Sequence, residues 1–70
     1  MTTELYWDGS YEIARHLIKA HPGVNLHDVT LGKVYEWTIV LPEFADDPAL
    51  ANDDLLLAIY QEWLEEVHPL

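Results

Sequence analysis

Cysteine is absent from this 70-residue sequence, which excludes a disulfide bridge, a thiolate metal site and a cysteine nucleophile. Half of the residues are hydrophobic, yet no apolar run approaches the roughly 20 residues that a membrane span requires. The first residues also lack the basic region and apolar core of a secretory signal. We therefore expect a single cytoplasmic domain, residues 1–70, that is monomeric and contacts no membrane.

Basic residues are the second scarcity. Lysine and arginine together number three, against 13 aspartates and glutamates, which gives a formal net charge of −10. No lysine or arginine follows Lys33, whereas nine of the acids do. A field of this sign repels the phosphates of nucleic acids and attracts cationic partners or metal ions. We expect no direct binding to nucleic acid.

Groups suited to catalysis are also few. Ser10 has no neighbouring base with an orienting group, and the three glycines form no phosphate-binding loop. A chain of this length leaves little room for a cleft that excludes water. We expect that the protein is not an enzyme.

The apolar residues that are present recur at helical spacing. Asp8 is a candidate N-cap for a first helix, which runs to about His21 and ends at the turn residues "HPG". A second helix is predicted from near Gly32 to Leu41, although its run "TIV" would also suit a strand.

A third helix and one short strand complete the predicted architecture. Asn52 is a candidate N-cap for the third helix, which extends to about Val67 and carries the widest apolar face. The segment "VNLHDVTL", residues 24–31, has the alternation and β-branching of a short strand or of an extended bridge. The tryptophans are expected in the core. The fold class is therefore mainly α, a small three-helix domain with minimal β structure.

The stretch "EFADDPALANDD", residues 43–54, places five carboxylates in twelve residues without a basic residue. Two of them, Asp53 and Asp54, directly follow the candidate cap Asn52. Carboxylates in a first helical turn are stabilised by the helix dipole. Stabilisation of the helix is therefore a sufficient reason for these two carboxylates. Their charges also stay available to a ligand.

The other aspartate pair, Asp46 and Asp47, precedes Pro48 in a loop, where the helix dipole gives little. We expect that replacing both by asparagine barely changes thermal stability. Their oxygens suit a hard ion such as iron(II) or calcium, although the spacing lacks the EF-hand pattern. Any metal would be bound weakly at an open, hydrated surface, and an ordinary solvated loop is the alternative. The candidate metal ligands are Glu43, Asp46, Asp47, Asp53 and Asp54.

Acids outside this stretch are further candidates for contact with a partner. Glu12 lies four residues before His16, a spacing typical of an ordinary surface pair on a helix. Three glutamates lie near the end of the third helix, where the dipole disfavours them, and this favours a surface role. The candidate partner-binding residues are Asp46, Asp47, Asp53, Asp54, Glu12, Glu62, Glu65 and Glu66.

Several motifs of this sequence occur together in one known family. They are "W-D-x-S-x-E-I-A" from Trp7, "HP" at 21–22, Trp37, "L-x-E-F-x-D-D-P" from Leu41, and "A-I-x-x-x-W-L-x-E" from Ala58. With this combination, over nearly the whole chain, the sequence resembles the IscX family, which comprises small acidic proteins of bacterial iron–sulfur cluster assembly.

The resemblance implies a modified winged-helix fold that binds the cysteine desulfurase of the pathway. It also implies weak iron(II) binding through acidic surface residues, and an adaptor role that regulates sulfur delivery or supplies iron, in competition with the bacterial frataxin. The chain carries Ala45 where relatives often have a third aspartate, and Gly32 where they often have threonine. We expect Ala45 to weaken iron binding more than partner binding, and Gly32 to weaken the start of the second helix.

Two other functions remain open from the sequence. An acidic protein could imitate the charge of DNA and occupy the basic surface of a nucleic-acid-binding protein, or it could bind iron(II) without any partner. An affinity pull-down with a salt titration separates the three hypotheses. It recovers a desulfurase, a DNA-binding protein or nothing.

Overall fold

The computed structural model describes residues 4–68 of the chain. Three α-helices and two single-turn 3₁₀ helices account for most of this range, which contains no strand of regular sheet. The mainly α, three-helix class predicted from the sequence is confirmed. In chain order the elements are α1, Ser10–Ala20; a first 3₁₀ helix, Leu26–Asp28; α2, Leu31–Ile39; a second 3₁₀ helix, Pro48–Leu50; and α3, Asp53–Val67.

The start of α1 lies slightly later than predicted, because the residues before it form a turn. The N–H of Gly9 donates to the carbonyl of Tyr6 at 2.9 Å, and Gly9 occupies the N-cap position without a side-chain hydrogen bond. The prediction that Asp8 caps this helix is therefore wrong. At the other end, the chain leaves the helix at His21 as predicted, and Gly23 adopts a φ of 78°, which glycine takes without steric cost.

The strand predicted at residues 24–31 does not form, and the first 3₁₀ helix occupies its centre. The side chain of Asn25 accepts the N–H of His27 at 3.0 Å, a local bond that competes with extended structure. Leu26 is buried and anchors this turn in the core, and the side chain of Thr30 caps α2. The alternation of polar and apolar residues here reflects two caps and one anchor.

Helical structure in α2 extends through the threonine and isoleucine of the run that the sequence left ambiguous. Because Thr30 caps the helix, Gly32 lies within its first turn and does not form its start. The hydroxyl of Thr38 is completely buried and donates to the carbonyl of Val34 at 2.7 Å, so this buried polar group is satisfied. The helix ends two residues before the predicted boundary, ahead of Pro42.

The longest helix, α3, packs chiefly against α1. Its predicted cap is confirmed, since Oδ1 of Asn52 accepts the N–H of Leu55 at 2.9 Å. Two apolar residues of this helix, Leu57 and Val67, are exposed. The buried face of α3 is thus narrower than its composition predicts.

One cluster of buried residues connects all three helices with the chain that precedes α1. Trp7 and Trp63 belong to it, and Trp37 packs against its edge, so the prediction that the tryptophans form core is confirmed. Full burial of a large apolar side chain contributes about 1.5–3 kcal/mol to the free energy of unfolding. The buried apolar residues are Leu5, Trp7, Ile13, Ala14, Leu17, Leu26, Val34, Leu56, Ile59 and Trp63.

β structure within residues 4–68 is limited to an isolated parallel bridge between Leu5 and Phe44. One bridge does not make the hairpin of a wing, so the winged-helix detail implied by the resemblance is not confirmed. In the same range, no helix combines the length and the apolar character needed to cross a bilayer.

Candidate functional site

The candidate site lies where the chain before α1 meets the loop after α2. We call residues 4–7 the N-terminal segment and residues 43–47 the acidic loop. The N–H of Leu5 donates to the carbonyl of Glu43 at 2.9 Å, and the N–H of Ala45 donates to the carbonyl of Leu5 at 2.9 Å. These two bonds form the parallel bridge, so the acidic loop is fixed to the N-terminal segment.

Trp7 holds the two aspartates of the acidic loop. Its backbone N–H donates to Oδ2 of Asp46 at 2.9 Å, and its indole Nε1–H donates to the carbonyl of Asp47 at 2.8 Å. The indole is 2% exposed, stacks on Tyr35 with ring planes 7° apart, and meets the ring of Phe44 edge-on at 4.9 Å. A residue fixed in the core therefore makes both contacts to the loop, one through its backbone and one through its indole.

The two aspartates also bond within the loop. Oδ1 of Asp46 accepts the N–H of Asp47 at 2.7 Å, and Oδ1 of Asp47 accepts the N–H of Ala49 at 2.9 Å, which caps the second 3₁₀ helix. Three of the four carboxylate oxygens in this pair thus accept a backbone N–H. The sequence did not indicate these bonds, because the donor to Asp46 comes from the distant residue Trp7. The small effect on stability expected from replacing both aspartates by asparagine stays a prediction, since asparagine keeps one acceptor oxygen.

The other acids of the stretch keep the positions that the sequence predicts. Asp53 and Asp54 lie in the first turn of α3, after the cap Asn52, and both are exposed. In this position each stabilises the helix by about 0.3–1 kcal/mol through the dipole. Glu43 is half-buried, and its backbone carbonyl accepts a hydrogen bond from the N-terminal segment.

The predicted partner-binding glutamates differ in how much charge they leave free. Glu66 is 3.6 Å from the guanidinium of Arg15, an ion pair that joins α3 to α1. Glu12 is exposed and Glu62 is half-buried; Glu65 is exposed. The ion pair partly neutralises Glu66, so the others are the better candidates for contact with a partner.

The Glu12–His16 pair forms no ion pair within residues 4–68. Nδ1–H of His16 instead donates to the backbone carbonyl of Glu12 at 2.9 Å. The imidazole is therefore hydrogen-bonded to the backbone of its own helix. This agrees with the ordinary surface role that the spacing indicated.

Tyr6 is a residue of the site that the sequence reasoning missed. Its hydroxyl donates to the carboxylate of Glu4. This hydrogen bond, the negative charge of Glu4, partial desolvation and the charge of Asp46 all raise the pKa of the Tyr6 phenol. A signal was present, since Leu5 and Trp7 alternate with exposed neighbours, as in an extended segment with one buried face.

Histidine, aspartate and glutamate side chains are the possible metal ligands of residues 4–68, because the sequence has no cysteine. No three of them come together as a metal-binding group in this range. Carboxylate oxygens on an open surface are of the kind that binds a hard ion while the ion keeps most of its water.

The fold and these surface acids define a small, acidic, mainly α protein. A family model described as iron–sulphur cluster assembly matches residues 5–68, so the chain belongs to this family and the resemblance to IscX proteins is confirmed. An uncharacterised protein of Pseudomonas aeruginosa is 37% identical over 62 residues, which cover 89% of this chain and 94% of that protein.

Proposed function

We propose that this protein is a non-enzymatic adaptor of iron–sulfur cluster assembly, which binds a cysteine desulfurase and regulates sulfur delivery. Membership of the iron–sulphur cluster assembly family is the observation that carries the proposal. An adaptor needs an exposed surface, and the acids of this chain provide one.

The distribution of charge supports binding by electrostatic complementarity. Two ion pairs occur within residues 4–68, Arg15 with Glu66 and Lys33 with Glu36, each at 3.6 Å. The remaining seven acids after Lys33 have no ion-pair partner in that range. Unpaired charges of one sign steer association with a basic patch. These acids are Glu43, Asp46, Asp47, Asp53, Asp54, Glu62 and Glu65.

Iron(II) is proposed as a transient cargo of the protein. Carboxylate oxygens are the hard ligands that such an ion accepts, and water completes its coordination at an open surface. Exposed Asp47, Asp53 and Asp54 are the foremost candidates, and half-buried Glu43 of the acidic loop is a further one. The proposed binding is weak and reversible.

Calorimetric titration of a purified cysteine desulfurase tests the partner proposal. The wild type is expected to bind, and Asp53→Asn with Asp54→Asn is expected to bind more weakly, with the cap Asn52 intact. The matched control, Asp28→Asn with Glu36→Gln, removes the same charge elsewhere and is expected to bind nearly as the wild type does. A wild type that gives no binding at low salt contradicts the adaptor proposal.

Capture of partners from a cell extract separates the adaptor from a DNA mimic. Recovery of a desulfurase supports the proposal, whereas recovery of a DNA-binding protein supports the mimic. Added bacterial frataxin is expected to displace the protein from the desulfurase, since both are proposed to use one basic surface. An anaerobic iron(II) titration completes the test: curves that coincide for wild type and the Asp53–Asp54 double variant contradict the role of these two carboxylates.

A further inference from the structure

Besides the bridge to Leu5, the acidic loop is joined to the core through Trp7. Trp7 donates its backbone N–H to Asp46 at 2.9 Å and its indole N–H to the carbonyl of Asp47 at 2.8 Å. The indole is buried, while Asp46 is half-buried and Asp47 is exposed. Trp7 therefore links a fixed position in the core to two adjacent residues that carry charge on the surface.

Asp46 differs from the other acids in the contacts of its carboxylate. Its Oδ2 accepts the N–H of Trp7, and its Oδ1 accepts the N–H of Asp47. Both oxygens are thus engaged by backbone donors, whereas Asp47 uses one oxygen in this way. Glu43 is tied to the N-terminal segment through its backbone carbonyl alone. Both carboxylate oxygens of Asp46 are therefore occupied by hydrogen bonds within the fold, whereas within residues 4–68 one oxygen of Asp47 and the carboxylate of Glu43 accept none.

We infer that Trp7 and Asp46 are positioning residues for partner binding, which hold the acidic loop so that Asp47 and Glu43 present their charge to a basic surface. This inference rests on the proposed function. We call the hydrogen bonds of Trp7 to Asp46 and Asp47 the clasp. A loop that is already ordered loses little conformational freedom on binding, so affinity depends on the clasp as well as on the charges.

The substitution Trp7→Phe tests this dependence without changing any acid. It keeps an aromatic ring in the core and removes the indole donor to Asp47. The affinity for purified cysteine desulfurase is expected to fall about threefold to tenfold, the range that one hydrogen bond contributes. The matched control is Tyr60→Phe, which removes a 2.8 Å hydrogen bond to the carbonyl of Leu26 and is expected to bind as the wild type does. Equal binding by Trp7→Phe and the wild type overturns the inference.

A double-mutant cycle separates positioning from direct contact. If Asp46 acts through the loop, combining Asp46→Asn with Trp7→Phe weakens binding by less than the product of the single effects, because both release the same loop. Asp54→Asn lies on α3, away from the loop. Its fold loss in affinity and that of Trp7→Phe are expected to multiply when the two substitutions are combined. Multiplicative effects in the Asp46 cycle would assign this carboxylate to direct contact and overturn its positioning role.

The free protein provides a test that does not need the partner. Asp46→Asn is expected to speed amide hydrogen exchange at Ala45 and to shift the NMR resonance of the Trp7 indole N–H. Unchanged exchange and an unchanged resonance overturn the clasp, whatever the protein binds. If the wild type fails to bind the desulfurase while these changes appear, the proposed function fails and the clasp stands as a feature of the fold.

Discussion

The backbone N–H of Trp7 donates to the carboxylate of Asp46 at 2.9 Å, across 39 positions of the sequence. This bond connects the segment before α1 with the loop after α2, and neither end lies in a helix or a strand. An aspartate that appears as a surface charge in the sequence is, in the fold, an acceptor for the main chain of a core residue.

Loss of the Asp46 carboxylate is expected to destabilise the fold. Asp46→Ala leaves the partly buried N–H of Trp7 without its acceptor, and an unsatisfied donor of this kind costs about 1–3 kcal/mol. Urea denaturation measures the change in the free energy of unfolding. The exposed control Glu65→Ala is expected to stay within about 0.5 kcal/mol of the wild type. Equal stability of Asp46→Ala and the wild type would show that water satisfies the N–H of Trp7.

The cap of α3 is expected to contribute measurably to stability. Asn52→Ala removes the acceptor for the N–H of Leu55 and is expected to cost about 0.5–2 kcal/mol. Thermal and urea denaturation check the value. Asn52→Asp, which keeps an acceptor oxygen, is expected to restore most of the loss; a restored cap without restored stability would assign the effect to another contact.

Gly32 is a position where stability can be gained. It lies in the first turn of α2, and a Cβ added there meets only the Thr30 hydroxyl oxygen at 3.7 Å, which is ordinary contact. Gly32→Ala is expected to stabilise the protein by about 0.5–1 kcal/mol, because alanine loses less conformational freedom in a helix. A lower melting temperature for this variant would contradict the open environment of the site.

The raised pKa of Tyr6 predicts a loss of stability in alkali. The hydrogen bond to Glu4 and the nearby negative charges hold the phenol proton more tightly in the folded state than in the unfolded chain, where the pKa is about 10. The stabilising contribution is therefore complete below about pH 10 and is lost as the pH rises through the folded value. Wild type and Tyr6→Phe are expected to converge in urea midpoint over this alkaline range. A difference that stays constant would exclude the ionisation of Tyr6 as its source.

Partner binding is expected to weaken with salt. Seven acids after Lys33 lack an ion-pair partner in the described range, and charges on a surface are screened beyond about 8–10 Å at physiological ionic strength. The dissociation constant for the desulfurase is expected to rise steadily from low salt to several hundred millimolar. An affinity that does not change over this range would contradict electrostatic complementarity as the basis of binding.

Local features of the sequence were enough to predict the helices and the charge. The cap of α3 depends on Asn52 and on a donor three residues away, and the excess of acids follows from composition alone. Composition and motif combination also carried the resemblance that the family match confirms. These properties need no contact between distant parts of the chain, so the sequence by itself determined them.

Only the tertiary structure determined how the acidic loop is hydrogen-bonded. The donors that engage Asp46 and Asp47 come from Trp7, 39 and 40 positions away, and no local pattern indicates such a pairing. The strand predicted at residues 24–31 was wrong for a related reason, since buried Leu26 and the side-chain bond of Asn25 satisfy a turn there. Hydrogen bonds between distant segments depend on how the helices bring those segments together, and only the packed core around Trp7 determines that.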